Sequence, residues 1–181
     1  MHRIFLGLAV TNGSLLAASM VLGFLASGEP NAPRASWHNL HFLLGLLTTV
    51  TTLFVHGVAF TYFLGTGRWV KEVVQVYRMP DWVYAQGVRN KRRAFPFELG
   101  GMLLVGAAAW TGAGTDAQGW PAHWHLAAST AALAFNLGAY AAEYAAIVAQ
   151  ARLILEVKDR ADRQREALYA SKSVAAEPGP I

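Results

Sequence analysis

Six histidines are spread along this chain, and four of them fall in two tight pairs: His38 with His41, and His123 with His125. The first pair has i, i+3 spacing, which sets two imidazoles on neighbouring positions of one helix face. Each pair opens a long apolar run. Imidazole binds transition metals, ligates haem iron and exchanges protons near neutral pH. Two helices that each offer an inward imidazole meet the minimum for bis-His haem b ligation. Three or four converging nitrogens would instead hold copper, zinc or iron. His41 and His125 sit deeper in their runs than their companions and are the expected haem pair. His38, His123 and Gly45 complete the candidate cofactor set, Gly45 because a glycine one turn below His41 leaves room for a porphyrin edge. Gly100, Gly101, Gly106 and Ala107–Ala109, with Ala127, Ala128, Ala131 and Ala132, suit the same purpose. Small residues also let membrane helices pack closely with no cofactor between them. In the metal-handling alternative, His38, His41, His123 and His125 are together the ligands. In the simplest alternative, the histidines are structural and no cofactor is bound.

A second polar layer is implied deeper in the runs. His56 follows His38, and Glu143 follows His125, by about five helical turns, or ~27 Å at 1.5 Å per residue. Glu98, Tyr140 and Asn12 reach a similar depth. Ionisable groups inside a bilayer need partners, so His56 is expected to meet Glu143 or Glu98, with Tyr140 and Asn12 beside them. The stripes His41–Thr48–Thr52 and His125–Ser129–Asn136–Tyr140–Glu143 suit proton transfer, a quinone pocket or plain interhelical hydrogen bonding. One imidazole and two carboxylates also suit a non-haem iron, but the Glu-x-x-His pairs of di-iron bundles are missing. A proton site or packing cluster is the preferred reading.

These residues need a scaffold of membrane helices. The chain has 181 residues, 54% apolar and 14% charged, with a net charge of +4. There is no cysteine, which excludes disulfides, thiolate sites, iron–sulfur clusters and thioether-linked haem. About 20 apolar residues cross a bilayer as a helix. Four stretches qualify, at about 4–26, 37–65, 95–111 and 124–147, and predict an all-α, integral membrane four-helix bundle across residues 1–171. The first stretch also has the layout of a signal peptide; its length and the mid-run Thr11, Asn12 and Ser14 favour a retained span. The fourth continues as a charged helical extension at 148–169, and 172–181 reads as a disordered tail.

Arginines and lysines cluster in 67–95 and in the C-terminal extension, while the loops at 27–36 and 112–123 are nearly free of them. The positive-inside rule then places both termini and the 67–95 segment in the cytoplasm of a multi-pass cell (inner) membrane protein. The basic excess therefore reports topology, and nucleic acid is not an expected partner. Glycine and proline at Gly28, Pro30 and Pro33, and at Gly112, Gly114, Gly119 and Pro121, are expected to break the helices at the outer loops. Segment 67–95 has bulky groups at helical spacing (Trp69, Val70, Val73, Val74, Tyr77). It continues helix two or lies as an amphipathic anchor, and it offers a docking surface. No Walker A, dinucleotide-binding, HExxH or nucleophile-elbow pattern is present.

The histidine placement resembles the four-helix haem cores of b-type cytochromes, in which two helices each carry two haem-ligating histidines. Helix two has His41 and His56, but helix four has His125 and then Tyr140. The resemblance thus implies one bis-His haem rather than two. The expected function is an electron-transfer subunit of a larger membrane redox complex, with one haem b near the outer face, a quinone as small-molecule partner and other subunits docked. Such a chain would belong to a membrane oxidoreductase rather than act as an enzyme alone. The alternatives are an accessory or assembly subunit without cofactor, and a metal-handling membrane protein.

Overall fold

A computed structural model describes residues 1–27 and 37–176. The described residues form four helices: α1 (His2–Ser27), α2 (Trp37–Val76), α3 (Asp81–Gln118) and α4 (Ala122–Ala176). All four contain a stretch long and apolar enough to cross a membrane. The interior is mostly apolar, but it also encloses a set of polar side chains, and many large apolar side chains lie on the outside. Asn12, Thr48, Thr52, His56, Asn90, Glu98, Asn136, Glu143 and Gln150 are buried, whereas Leu43, Val50, Phe54, Leu103 and Trp110 are exposed. An apolar outer surface with partnered polar groups inside suits hydrocarbon surroundings.

α1 packs on α2 and α4, α3 packs on α2 and α4, and α2 touches α4. Among the described residues α1 and α3 do not meet, so α2 and α4 form the short diagonal of the bundle. That diagonal brings the two helices that carry the paired histidines face to face. One apolar cluster, including Phe5, Leu16, Val55, Phe63, Ala94, Tyr140 and Ile147, fills the spans.

α2, α3 and α4 are far longer than a bilayer needs. The 55 residues of α4 extend about 80 Å at 1.5 Å per residue, against a hydrocarbon core of about 30 Å. The surplus forms a three-helix stalk with its own core: Val70 and Val74 from α2, Met79 from the turn, Val83 from α3, and Leu153, Val157 and Ala161 from α4. Segment 67–95 is therefore the end of α2, a short turn and the start of α3, folded against the C-terminal extension. The Arg160 guanidinium lies over the Trp82 ring at 5.0 Å. The turn closes α2 with Met79 N–H donating to Val74 O (2.9 Å) and Arg78 N–H to Gln75 O (3.4 Å). Arg78 takes the left-handed conformation (φ 50°) that usually falls to glycine at this point.

Three local expectations are corrected. Gly112 and Gly114 do not break a helix; α3 runs through them and stops at Gly119, in the left-handed region at φ 69°. Gly114 instead provides a berth for the folded-back Trp120, whose ring would collide with a Cβ there and which meets Trp110 edge-on at 5.1 Å. Helix three starts at Asp81 rather than near residue 95, carrying Pro96 in its interior. The expected unstructured tail at 172–181 begins as helix, since α4 continues to Ala176. The loop with Gly28, Pro30, Pro33 and Arg34, and residues 177–181, lie outside the described residues.

Candidate functional site

His41 and His125 face each other across the short diagonal, with ring centroids 5.9 Å apart and planes inclined at 65°. Each ring is held in the same way. His41 Nδ1–H donates to the Ser19 carbonyl of α1 at 3.1 Å, and His125 Nδ1–H donates to the Ala108 carbonyl of α3 at 3.0 Å. A carbonyl only accepts, so both rings carry hydrogen on Nδ1 and present Nε2 as the lone-pair nitrogen. Neither Nε2 has a hydrogen-bond partner among the described residues. Each ring also lies on a glycine of the carbonyl-bearing helix, one turn beyond the acceptor. A Cβ at Gly23 would lie 3.1 Å from His41 Cε1, and one at Gly112 would lie 2.9 Å from His125 Cε1. Helix pairs α1–α2 and α3–α4 thus repeat one device: a carbonyl, a glycine one turn on, and a histidine from the next helix.

The companions are placed otherwise. His38 Nε2 lies 3.4 Å from Asp116 Oδ2, near the end of α3. His123 is exposed and stacks obliquely with its neighbour Trp124. Among the described residues no three His, Asp or Glu side chains come together as a metal-binding group. The four-imidazole metal site of His38, His41, His123 and His125 is therefore not assembled among the described residues: His38 pairs with Asp116 and His123 is exposed. A Cβ at Gly45 would meet Ser19 Oγ of α1 at 3.8 Å, an ordinary contact. Gly23 and Gly112, which do flank the imidazoles, read in the sequence as ordinary ends of spans; no local pattern marks which histidine they would meet.

The second layer is continuous and buried. His56 Nδ1 lies 2.7 Å from Glu143 Oε1, and His56 Nε2 lies 2.7 Å from Asn136 Oδ1. Asn136 donates its amide to the Ala132 carbonyl at 2.7 Å, which fixes its oxygen toward the ring. Nε2 must then donate, and the Nδ1···Oε1 line holds the remaining proton of the pair. Tyr140 stacks on His56 with centroids 5.3 Å apart and donates its hydroxyl to Asn12 Oδ1. Asn12 also accepts from Thr52 (3.0 Å) and donates to Thr51 (2.7 Å), tying α1 to α2 and α4. Glu98 is buried on α3, within coulombic reach of both His56 and Glu143. Glu98 Oε1 and Glu143 Oε2 are buried without a hydrogen-bond partner among the described residues. Room for His56 comes from Gly101, where a Cβ would collide with Nε2 and sit 2.7 Å from Asn136 Oδ1. Gly100 likewise makes room for Phe135, whereas a Cβ at Gly106 would meet nothing within 4 Å. A third layer, Asn90–Gln150–Thr66, closes the column toward the stalk at 3.1 and 3.3 Å.

Comparison with known proteins finds no matching family model, no matching curated protein and no matching solved structure.

Proposed function

We propose that this chain is an integral membrane electron-transfer subunit of a larger redox complex, holding one haem b between His41 and His125. The reading rests on one observation: two imidazoles from facing helices, each fixed through Nδ1 to a backbone carbonyl, with both Nε2 atoms left unpaired. Metal-ligating histidines are held this way, because the second hydrogen bond sets the tautomer and raises the basicity of the ligating nitrogen. With their ring centroids 5.9 Å apart, His41 and His125 are the residues that would hold the haem iron.

The basic bias of the stalk and the C-terminal extension supports a haem end facing outward and a stalk and termini in the cytoplasm, in a cell-membrane protein. A bound haem supplies one-electron exchange. His56 and Glu143 can hold and pass the accompanying proton, because one proton lies on their shared line and Glu98 offers the next carboxylate. The apolar groove between α1 and α4, about 470 Å³ and lined by Phe5, Gly13, Leu137 and Tyr140 among others, suits a quinone. The stalk offers the surface for other subunits.

A reading without cofactor has one observation of its own in support: the Asn12–Thr52–Tyr140 and His56–Asn136 bonds interlock three helices and are sufficient as packing. The visible spectrum of protein purified with haem supplied decides. A reduced b-type alpha band that is lost in both His41→Ala and His125→Ala, and kept in His38→Ala and His123→Ala, is the expected result. Absence of a band in the parent protein removes the haem proposal and leaves the accessory subunit. Absence of a band together with stoichiometric copper, zinc or iron favours metal handling.

A further inference from the structure

A groove of about 480 Å³ lies between α3 and α4 where the spans give way to the stalk. Its two ends differ in chemistry. One wall is a face of α4 built from Ala142, Ala145, Ala146 and Ala149, small and without hydrogen-bonding side chains, facing Phe97 of α3. The opposite end is lined by Arg92 and Arg93, both exposed and neither in an ion pair among the described residues. Arg68, Lys158, Arg160, Arg163 and Arg165 have carboxylate partners within their own helices, while Arg89, Lys91 and Arg152 share the unpaired state but do not line the groove. Pro96 adds a third feature. It sits inside α3 and has no N–H, so the Arg92 carbonyl four residues earlier loses its helical donor beside the two guanidinia.

We propose that this groove binds an anionic phospholipid, with its phosphate between Arg92 and Arg93 and an acyl chain along the alanine face of α4. The charge and the shape point to the same occupant. Two unpaired cations at the level of a membrane surface attract a phosphodiester. Arginine's fork matches its oxygens. An alanine wall gives continuous apolar contact to a hydrocarbon chain and nothing to a polar solute. Asn90 lines the groove too, but its amide is already donated to Gln150. The site lies on the stalk side of Glu143, away from His125, and does not depend on any haem.

The test uses the full-length protein in detergent and native mass spectrometry, titrated with dioleoyl-phosphatidylglycerol or dioleoyl-phosphatidylcholine. Phosphatidylglycerol is expected to bind about tenfold tighter or more, since each basic group near a membrane surface contributes on the order of a fivefold gain. Arg92→Gln with Arg93→Gln should bring that preference close to one. Arg163→Gln with Arg165→Gln, which removes the same charge elsewhere, should leave it unchanged. Ala145→Phe, filling the groove, should weaken both lipids. Equal binding of the two lipids by the parent protein overturns the proposal. So does an equal loss in the two double variants, which would mean diffuse attraction. Unchanged binding in Ala145→Phe, or glycerol phosphate competing as well as the lipid, overturns the acyl-chain assignment.

Discussion

Gly101→Ala probes the inner layer most directly, because the groups that the new methyl meets are held on every side. His56 is fully buried. Its two nitrogens are fixed at 2.7 Å to Glu143 and Asn136, and its face is covered by Tyr140. A Cβ at Gly101 overlaps His56 Nε2 and stands 2.7 Å from Asn136 Oδ1. Neither atom is the free end of a flexible chain, so either α3 backs away from α2 and α4 or the His56–Asn136 bond breaks. Overpacking a filled interior costs about 1–3 kcal/mol. A lost interhelical hydrogen bond in a membrane bundle adds about 0.6–2 kcal/mol. The expected destabilisation is therefore about 2–4 kcal/mol, or roughly a thirty- to thousandfold fall in the folding equilibrium. Gly138→Ala is the matched control, since a Cβ there meets nothing within 4 Å. It should be neutral, or stabilise by up to about 1 kcal/mol through helix propensity. Reversible unfolding in mixed detergent micelles with increasing dodecyl sulfate, followed by circular dichroism, measures both. Adding Asn136→Ala to Gly101→Ala frees the ring to tilt, so the two costs should fall short of additivity by about 1 kcal/mol. Equal stability of Gly101→Ala and Gly138→Ala would refute the claim that His56 is locked.

Asn12→Ala leaves the buried Tyr140 hydroxyl without its acceptor and removes the bonds to Thr51 and Thr52. It should cost about 1–3 kcal/mol in the same unfolding assay, while Asn12→Asp, which keeps the acceptor, should recover part of the loss. Leu153→Ala empties the centre of the stalk core and should cost about 2–5 kcal/mol there. Hydrogen exchange should then rise in 70–83 and 150–161 and stay unchanged in the spans. In the exposed extension, the bond from Lys158 (2.9 Å) and the nearby Arg165 (3.1 Å) hold the Asp162 carboxyl below the usual aspartate range. Because its folded value is depressed, this pairing supports the helix at neutral pH and is lost as pH falls through that lowered midpoint. Carbon-13 NMR titration should show the Asp162 midpoint rising in Lys158→Met and in high salt; an unchanged midpoint would deny the pairing any role.

The number of spans, their helical class and the burial of polar groups at two depths are written in local composition. A run of about twenty apolar residues must hide its backbone as helix, and that requirement needs no knowledge of neighbours. The facing of His41 and His125 is partly local as well, since periodicity sets which side of each helix carries an imidazole. Three other matters were settled only by packing. Glycines at 101, 112 and 114 look alike along the chain, yet one receives His56, one His125 and one Trp120, because the ring that fills each gap comes from a residue set by tertiary contact. The stalk depended on pairing too. Val70, Val74, Leu153 and Val157 are too sparse among charges to declare a core until three helices bring them together. Which histidine of each pair turns inward was decided by carbonyls on other helices, at Ser19 and Ala108, whose availability as acceptors arises only when the bundle closes.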